Sequence, residues 1–145
     1  MYRIPKYRVE LVREGSQVSE YKSVCSPGDA ASVIEAYLRG VDREHFIVLL
    51  LNTKNRLIGI NTVSVGSLDL CIAHPREVFK PAILANAAGI IIAHNHPSGD
   101  TTPSRDDVEL SKRIKDAGEI LGIPLLDSII VGDGPFYSLK ENGLI

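Results

Sequence analysis

Apolar and polar positions change rhythm several times along this chain, and each change marks an element. Tyr7-Arg8-Val9-Glu10-Leu11-Val12 alternates with a period of two, as a half-buried strand does, and Glu14-Gly15-Ser16 predicts a hairpin turn after it. Its partner strand falls on residues 17–24. Ser26-Pro27-Gly28-Asp29 supplies a capping serine, a proline at the first helical position and an acid placed to close a capping box, predicting a helix that runs to Gly40. An unbroken apolar run over residues 46–51, the turn Asn52-Thr53-Lys54-Asn55 and a second strand over 56–65 follow.

A third strand is expected over residues 68–73. Residues 75–88 have helical composition, with Pro81 expected to kink or split the helix and Gly89 to end it. Residues 89–94 are again wholly apolar up to His94, which predicts a strand buried on both faces. The loop 95–103 then leads into a helix from Ser104 to about Leu121, closed by Gly122 and Pro124. Residues 125–131 and 136–139 form a final hairpin around Gly132-Asp133-Gly134. Strands and helices thus mingle in one α/β unit, with no repeat, linker or low-complexity tract.

Length adds that a chain of 145 residues builds one domain over 1–145, with a substantial core and little left for a second module. The formal net charge of −2 gives no general attraction to nucleic acid or to an anionic membrane, although local basic patches remain possible. Arg3, Lys6, Arg8 and Arg13 are basic, but Glu10 and Glu14 interrupt them. Cys25 and Cys71 belong to no CxxC pair, so they predict neither a disulfide framework nor a cysteine-rich metal site, and both read as mostly buried thiols. No stretch approaches the ~20 apolar residues of a membrane-spanning helix, and no apolar leader follows the basic N-terminal residues, which leads to the expectation of a cytoplasmic protein. The oligomeric state is not legible.

The chemistry concentrates between His94 and Asp107. Residues two apart on an extended chain project to the same face, so His94 and His96, at the mouth of a buried strand, can aim both imidazoles at one point. A chain reversing through the Pro/Gly-rich loop can return Asp107 to them. Two imidazoles and one carboxylate leave a fourth tetrahedral position open, the arrangement expected of a catalytic zinc site with one ion per chain. Simpler readings compete. Ser104 and Asp107 also fit a helix-capping pair that needs no metal, and Ser98-Gly99-Asp100 reads equally as a plain turn or as a backbone nest for an anion.

His94, His96, Pro97, Ser104 and Asp107 together resemble the motif of the JAMM, or MPN-plus, metalloproteases. The fuller strings HNHPSGD at 94–100, HPREVF at 74–79, LGIP at 121–124 and VGDG at 131–134 resemble the RadC family, historically named for DNA repair, over nearly the whole chain from Tyr7 onward. Longer members carry an N-terminal region resembling a helix-hairpin-helix module, so this sequence reads as the short form. The resemblance implies a JAMM/MPN domain, a mixed sheet flanked by helices and grouped with the cytidine-deaminase-like architectures. Deamination itself is rejected, because neither H-x-E nor P-C-x-x-C is present.

The resemblance also implies a glutamate just after the first helix that handles the proton of the attacking water. Glu44 is the matching choice and Glu77 the second candidate, its alternative role being a first-turn acid favoured by the helix dipole. The implied function is zinc-dependent hydrolysis of an amide or isopeptide bond in a peptide or protein substrate, with Ser104 donating to the oxyanion. A DNA-processing role and a zinc-stabilised scaffold without turnover are the alternatives.

Overall fold

The computed structural model describes residues 1–66 and 73–145. Helix α1 (Pro27–Tyr37) precedes the strands β1 (His45–Leu51) and β2 (Leu57–Val65); then come α2 (Pro75–Leu84), β3 (Gly89–Asn95), α3 (Arg105–Leu121), β4 (Leu125–Val131) and the short β5 (Tyr137–Ser138). The strands form one sheet in the order β2-β1-β3-β4-β5. Among the described strands β3 and β4 run parallel, joined by α3 as a crossover, and β1 with β2, β1 with β3 and β4 with β5 pair antiparallel. This is the mixed α/β sheet flanked by helices that the sequence predicts.

The central strands carry unbroken apolar runs, 46–51 in β1 and 90–93 in β3, because both faces are covered. Along β1, Ile47, Leu49 and Leu51 face α1, where Ala30, Ala31 and Ile34 meet them together with Ile91 and Ala93 of β3. The alternate residues Phe46, Val48 and Leu50 join Ile90 and Ile92 of β3 in a second core that includes Val78, Phe79 and Ala82 of α2 and Ile114 of α3. Alternation therefore assigns His94, in phase with Ile90 and Ile92, to the side that α3 covers.

The helix ends follow local chemistry. In α1 the Ser26 hydroxyl accepts from the Asp29 amide at 3.2 Å, while the Asp29 carboxylate takes the Cys25 amide at 2.8 Å rather than that of Ser26. Cys25 is consequently exposed beside the cap, not buried as expected. Helix α2 carries Pro81 without interruption and stops at Leu84, short of the expected end, because Asn86 turns the chain at φ 54°. Gly89 starts β3 instead of ending the helix. Gly122 closes α3 in the left-handed region at φ 73°.

The N-terminal hairpin is the clear departure. Tyr7, Val9 and Leu11 are 83%, 71% and 53% exposed, and the expected partner strand is reduced to one antiparallel bridge between Ser23 and Arg56. Alternation without a face to bury against is not enough, since an isolated two-stranded hairpin is marginal in water. The strand expected over residues 68–73, and Cys71 with it, lies outside the described residues except for the buried Ala73. Among the described residues no helix is long and apolar enough to cross a membrane.

Candidate metal centre

Three elements converge at one end of the sheet. The C-terminal end of β3 delivers His94, the loop after it delivers His96, and the first turn of α3 returns Asp107. The segment entering β1 brings Glu44. A ligating atom of each of these four residues lies within 4.8 Å of the others. The antiparallel register of β1 with β3 sets Phe46 opposite His94, which brings residues forty-eight positions apart to the same corner.

Each side chain is held by identifiable contacts. The His94 ring, 3% exposed, stacks on Phe46 with centroids 5.8 Å apart and planes 8° apart. Its Nε2 lies 3.0 Å from His96 Nε2 and 3.2 Å from Asp107 Oδ1. His96 Nε2 lies 3.2 Å from Asp107 Oδ2, and its Nδ1 lies 2.7 Å from the Asp100 carbonyl. A carbonyl only accepts, so Nδ1 carries a proton, and in the neutral ring Nε2 points a bare lone pair into the cluster.

The loop between the histidines and α3 is anchored to the turn after β4. His96 N–H donates to the Val131 carbonyl at 2.9 Å, Asp133 N–H to the Gly99 carbonyl at 3.1 Å and the Thr101 hydroxyl to the Pro135 carbonyl at 3.0 Å. The approach is so close that a Cβ on Gly132 would stand 2.5 Å from the Gly99 carbonyl oxygen. The loop is thus a braced turn.

Ser104 and Asp107 form a reciprocal capping box. The Ser104 hydroxyl accepts from Asp107 N–H at 3.1 Å, and Asp107 Oδ2 accepts from Ser104 N–H at 2.8 Å. The capping role left open by the sequence is realised, and it does not compete with the cluster, because the same carboxylate faces both histidines. Acting as an acceptor also leaves the Ser104 hydroxyl its own hydrogen to donate. Glu77 is placed elsewhere: it pairs with Lys80 at 2.9 Å on the surface of α2, outside the group of four.

The electrostatics separate the two carboxylates. Burial pushes the Glu44 carboxyl up and outweighs the neighbouring histidines. Burial also opposes ionisation of Asp107, but hydrogen bonds from His94 and His96 overcome it and hold that carboxyl far below the usual range. The hydrogen bond to Asp107 raises His96 despite its desolvation. Lone pairs and carboxylate oxygens converging at about 3 Å call for a cation between them. The residues present fit a small divalent metal, with a proton as its competitor.

A pH dependence follows for the metal-free protein. His96, raised on folding, contributes stability below its unfolded value of about 6.5, and this is lost as pH rises through the folded value; Asp107, lowered, contributes above about 3.9 and loses it as pH falls. Urea midpoints of the metal-free protein should therefore gain most from this pair between roughly pH 4 and 6.5, and added metal should extend the gain to neutral pH. A midpoint gain from metal that is as large at pH 4 as at pH 7 would contradict protons and metal sharing these ligands.

Sequence reasoning passed over Phe46, which orients His94, and the Asp100 carbonyl, which sets the His96 tautomer. For Phe46 the available signal was an aromatic at the mouth of an apolar strand. A backbone carbonyl leaves none.

The RadC-like JAB domain family matches residues 24–144. A UPF0758 protein of Caldanaerobacter subterraneus subsp. tengcongensis is 54% identical over 140 residues, covering 95% of this chain and 60% of its own length. UPF0758 proteins of Desulforamulus reducens and Moorella thermoacetica are 55% and 54% identical over 82% and 83% of this chain, each across 52% of its own length. The chain thus spans between half and three-fifths of these curated relatives. With that match running through the sheet, both cores and all four converging side chains, the chain belongs to the family of RadC-like JAB domains.

Proposed function

We propose that this domain is a zinc-dependent hydrolase of amide or isopeptide bonds. The observation that carries the reading is the convergence of His94, His96 and Asp107 beside a carboxylate, Glu44, that burial favours in its protonated form. His94 and His96 through Nε2 and Asp107 through its carboxylate would hold the ion. Zinc in such a site polarises a carbonyl and lowers the pKa of a water towards about 7.

The chain's own groups do the rest. Glu44 accepts the proton of the attacking water as the water oxygen bonds to the substrate carbonyl carbon. The Ser104 hydroxyl donates to the oxyanion of the tetrahedral intermediate. As the C–N bond breaks, Glu44 returns the proton to the leaving amine, so that an acid and an amine are released and the carboxylate is regenerated. A carboxyl with a raised pKa suits this two-way traffic better than an ordinary surface glutamate.

Purified protein should carry about one zinc per chain, with His94→Ala combined with His96→Ala abolishing it, as elemental analysis reads. Peptide, isopeptide and nucleic-acid libraries presented to zinc-loaded and chelated protein test the chemistry. Amide cleavage confined to the zinc-loaded form is the expected result. Cleavage of nucleic acid alone would replace this reading with a DNA-processing one, and zinc binding without any cleavage would favour a scaffold.

Ser104 is tested by a series. A lost cap lowers stability by ~1 kcal/mol, whereas a lost oxyanion donor lowers kcat by about 10²–10³-fold. Ser104→Asp caps well but puts a negative charge beside the oxyanion, so it should fold and be nearly inactive, while Ser104→Asn, which caps and can donate, should retain more turnover. Wild-type kcat in both Ser104→Asp and Ser104→Ala would leave Ser104 a cap only.

A further inference from the structure

Asn95 separates the two histidines, and strand alternation puts it out of phase with His94. Its carboxamide reaches the chain entering β1. Oδ1 accepts from His45 N–H at 2.7 Å, and Nδ2 donates to the Arg43 carbonyl at 3.1 Å. These two backbone groups flank Glu44. Backbone pairing of β1 with β3 stops at Phe46 opposite His94, so the side chain of Asn95 takes over where the ladder ends. On the other side, Gly66 N–H donates to the Glu44 carbonyl at 2.9 Å, securing the same residue to the chain leaving β2.

We propose that Asn95 is a positioning residue whose carboxamide clamps the backbone on both sides of Glu44 and so fixes that carboxylate beside His94, His96 and Asp107. The proposal rests on the reading of Glu44 as the proton carrier of a metal centre. One residue joins the strand that ends in the metal ligands to the segment that carries the base, so the two are tied in one frame. Asparagine suits the task chemically. The tie needs an acceptor and a donor in one planar group: aspartate lacks the donor, serine is too short to span both bonds, and glutamine is a methylene too long. The Arg43 carbonyl also lies 3.0 Å from His45 Nδ1, so the bond to His45 N–H is the less replaceable of the two.

The test uses the whole chain loaded with Co²⁺ alone, comparing wild type, Asn95→Ala, Asn95→Asp and Glu44→Gln. Three quantities are read: Co²⁺ affinity against a chelator, the visible cobalt band, and exchange of the His45 amide proton by NMR. In Asn95→Ala we expect Co²⁺ affinity to stay above the 10–100-fold losses typical when the partner of a ligand ring is removed. His45 exchange should quicken roughly tenfold with its acceptor gone. The cobalt band should move in the same direction as in Glu44→Gln, because a released carboxylate and a neutralised one both change what faces the ion. Asn95→Asp keeps the acceptor and should leave His45 protected, a rescue that mere tolerance of a surface change would not produce. A wild-type band and wild-type exchange in Asn95→Ala, with the band of Glu44→Gln altered, would overturn the clamp and leave the role of Glu44 standing. A wild-type band in Glu44→Gln would remove Glu44 from the centre, and the clamp would fall with it. If Asn95→Ala does not fold, Asn95→Ser takes its place, and the same shifts in band and exchange support or overturn the clamp.

Discussion

Glu44→Gln should bind metal like the parent chain and lose hydrolysis by about 10²–10⁴-fold, the range over which general acid–base catalysis contributes. Glutamine keeps the length and planar shape of the side chain but can neither take the proton of water nor return it to the amine. The backbone contacts that place residue 44, from Gly66 and Asn95, are untouched by the change. Folding should therefore survive. Zinc content and rate on one amide substrate, measured on the same preparation, separate a proton carrier from a ligand. Zinc lost together with rate would make Glu44 a ligand, and full activity would remove it from the mechanism.

Asp107→Asn is expected to have the widest consequences of any single substitution. Both oxygens of the carboxylate are engaged: Oδ1 faces His94, while Oδ2 faces His96 and caps Ser104 N–H. An amide keeps one acceptor and turns the other atom into a donor aimed at an imidazole nitrogen. Metal affinity should fall by more than the ~100-fold upper range for supporting residues, since a ligand and its charge are lost together. The loss in stability should be modest, ~1 kcal/mol or less, because asparagine can still accept from Ser104 N–H. The affinity of His96 for a proton should fall with the loss of its largest cause, the Asp107 carboxylate, which NMR titration of the ring in the metal-free protein would read. Unchanged zinc affinity would mean that the ion is held elsewhere.

What could be read from the sequence was local chemistry. Ser26 and Pro27 begin α1, Ser104 begins α3 and Gly122 ends it as expected, because caps and stops are written in a few adjacent residues. The runs at 46–51 and 89–94 became strands buried on both faces for a similar reason, since unbroken apolar stretches of that length have no solvent face to offer. His94, His96 and Asp107 were linked by spacing along one loop, and that loop does bring them together.

The misreadings share another cause. Tyr7, Val9 and Leu11 alternate as a strand does, yet they stay exposed among the described residues, and a rhythm alone cannot supply a face to bury against. Pro81 lacks a donor, yet it does not split the helix: it is buried within α2, which runs on to Leu84. Cys25 is apolar enough for a core, but the cap of α1 fixes it outside. The clamp by Asn95 depends on where β1 and β3 stop pairing, and that is a property of two distant segments together.

The fifty positions between His45 and Asn95 carry a consequence for the order in which a metal centre here would be completed. In an unfolded chain, bringing such segments together costs closure entropy before any contact repays it. The three groups that would hold an ion lie within residues 94–107, whereas Glu44 joins them only once β1 and β3 have zipped, so the base is the last of the four to arrive. Occupancy would act as a latch on folding: free metal at a hundred times its dissociation constant would add about 2.7 kcal/mol to the folded state, drawn from concentration alone. Metal withdrawn from such a centre would take that contribution to the fold away with it.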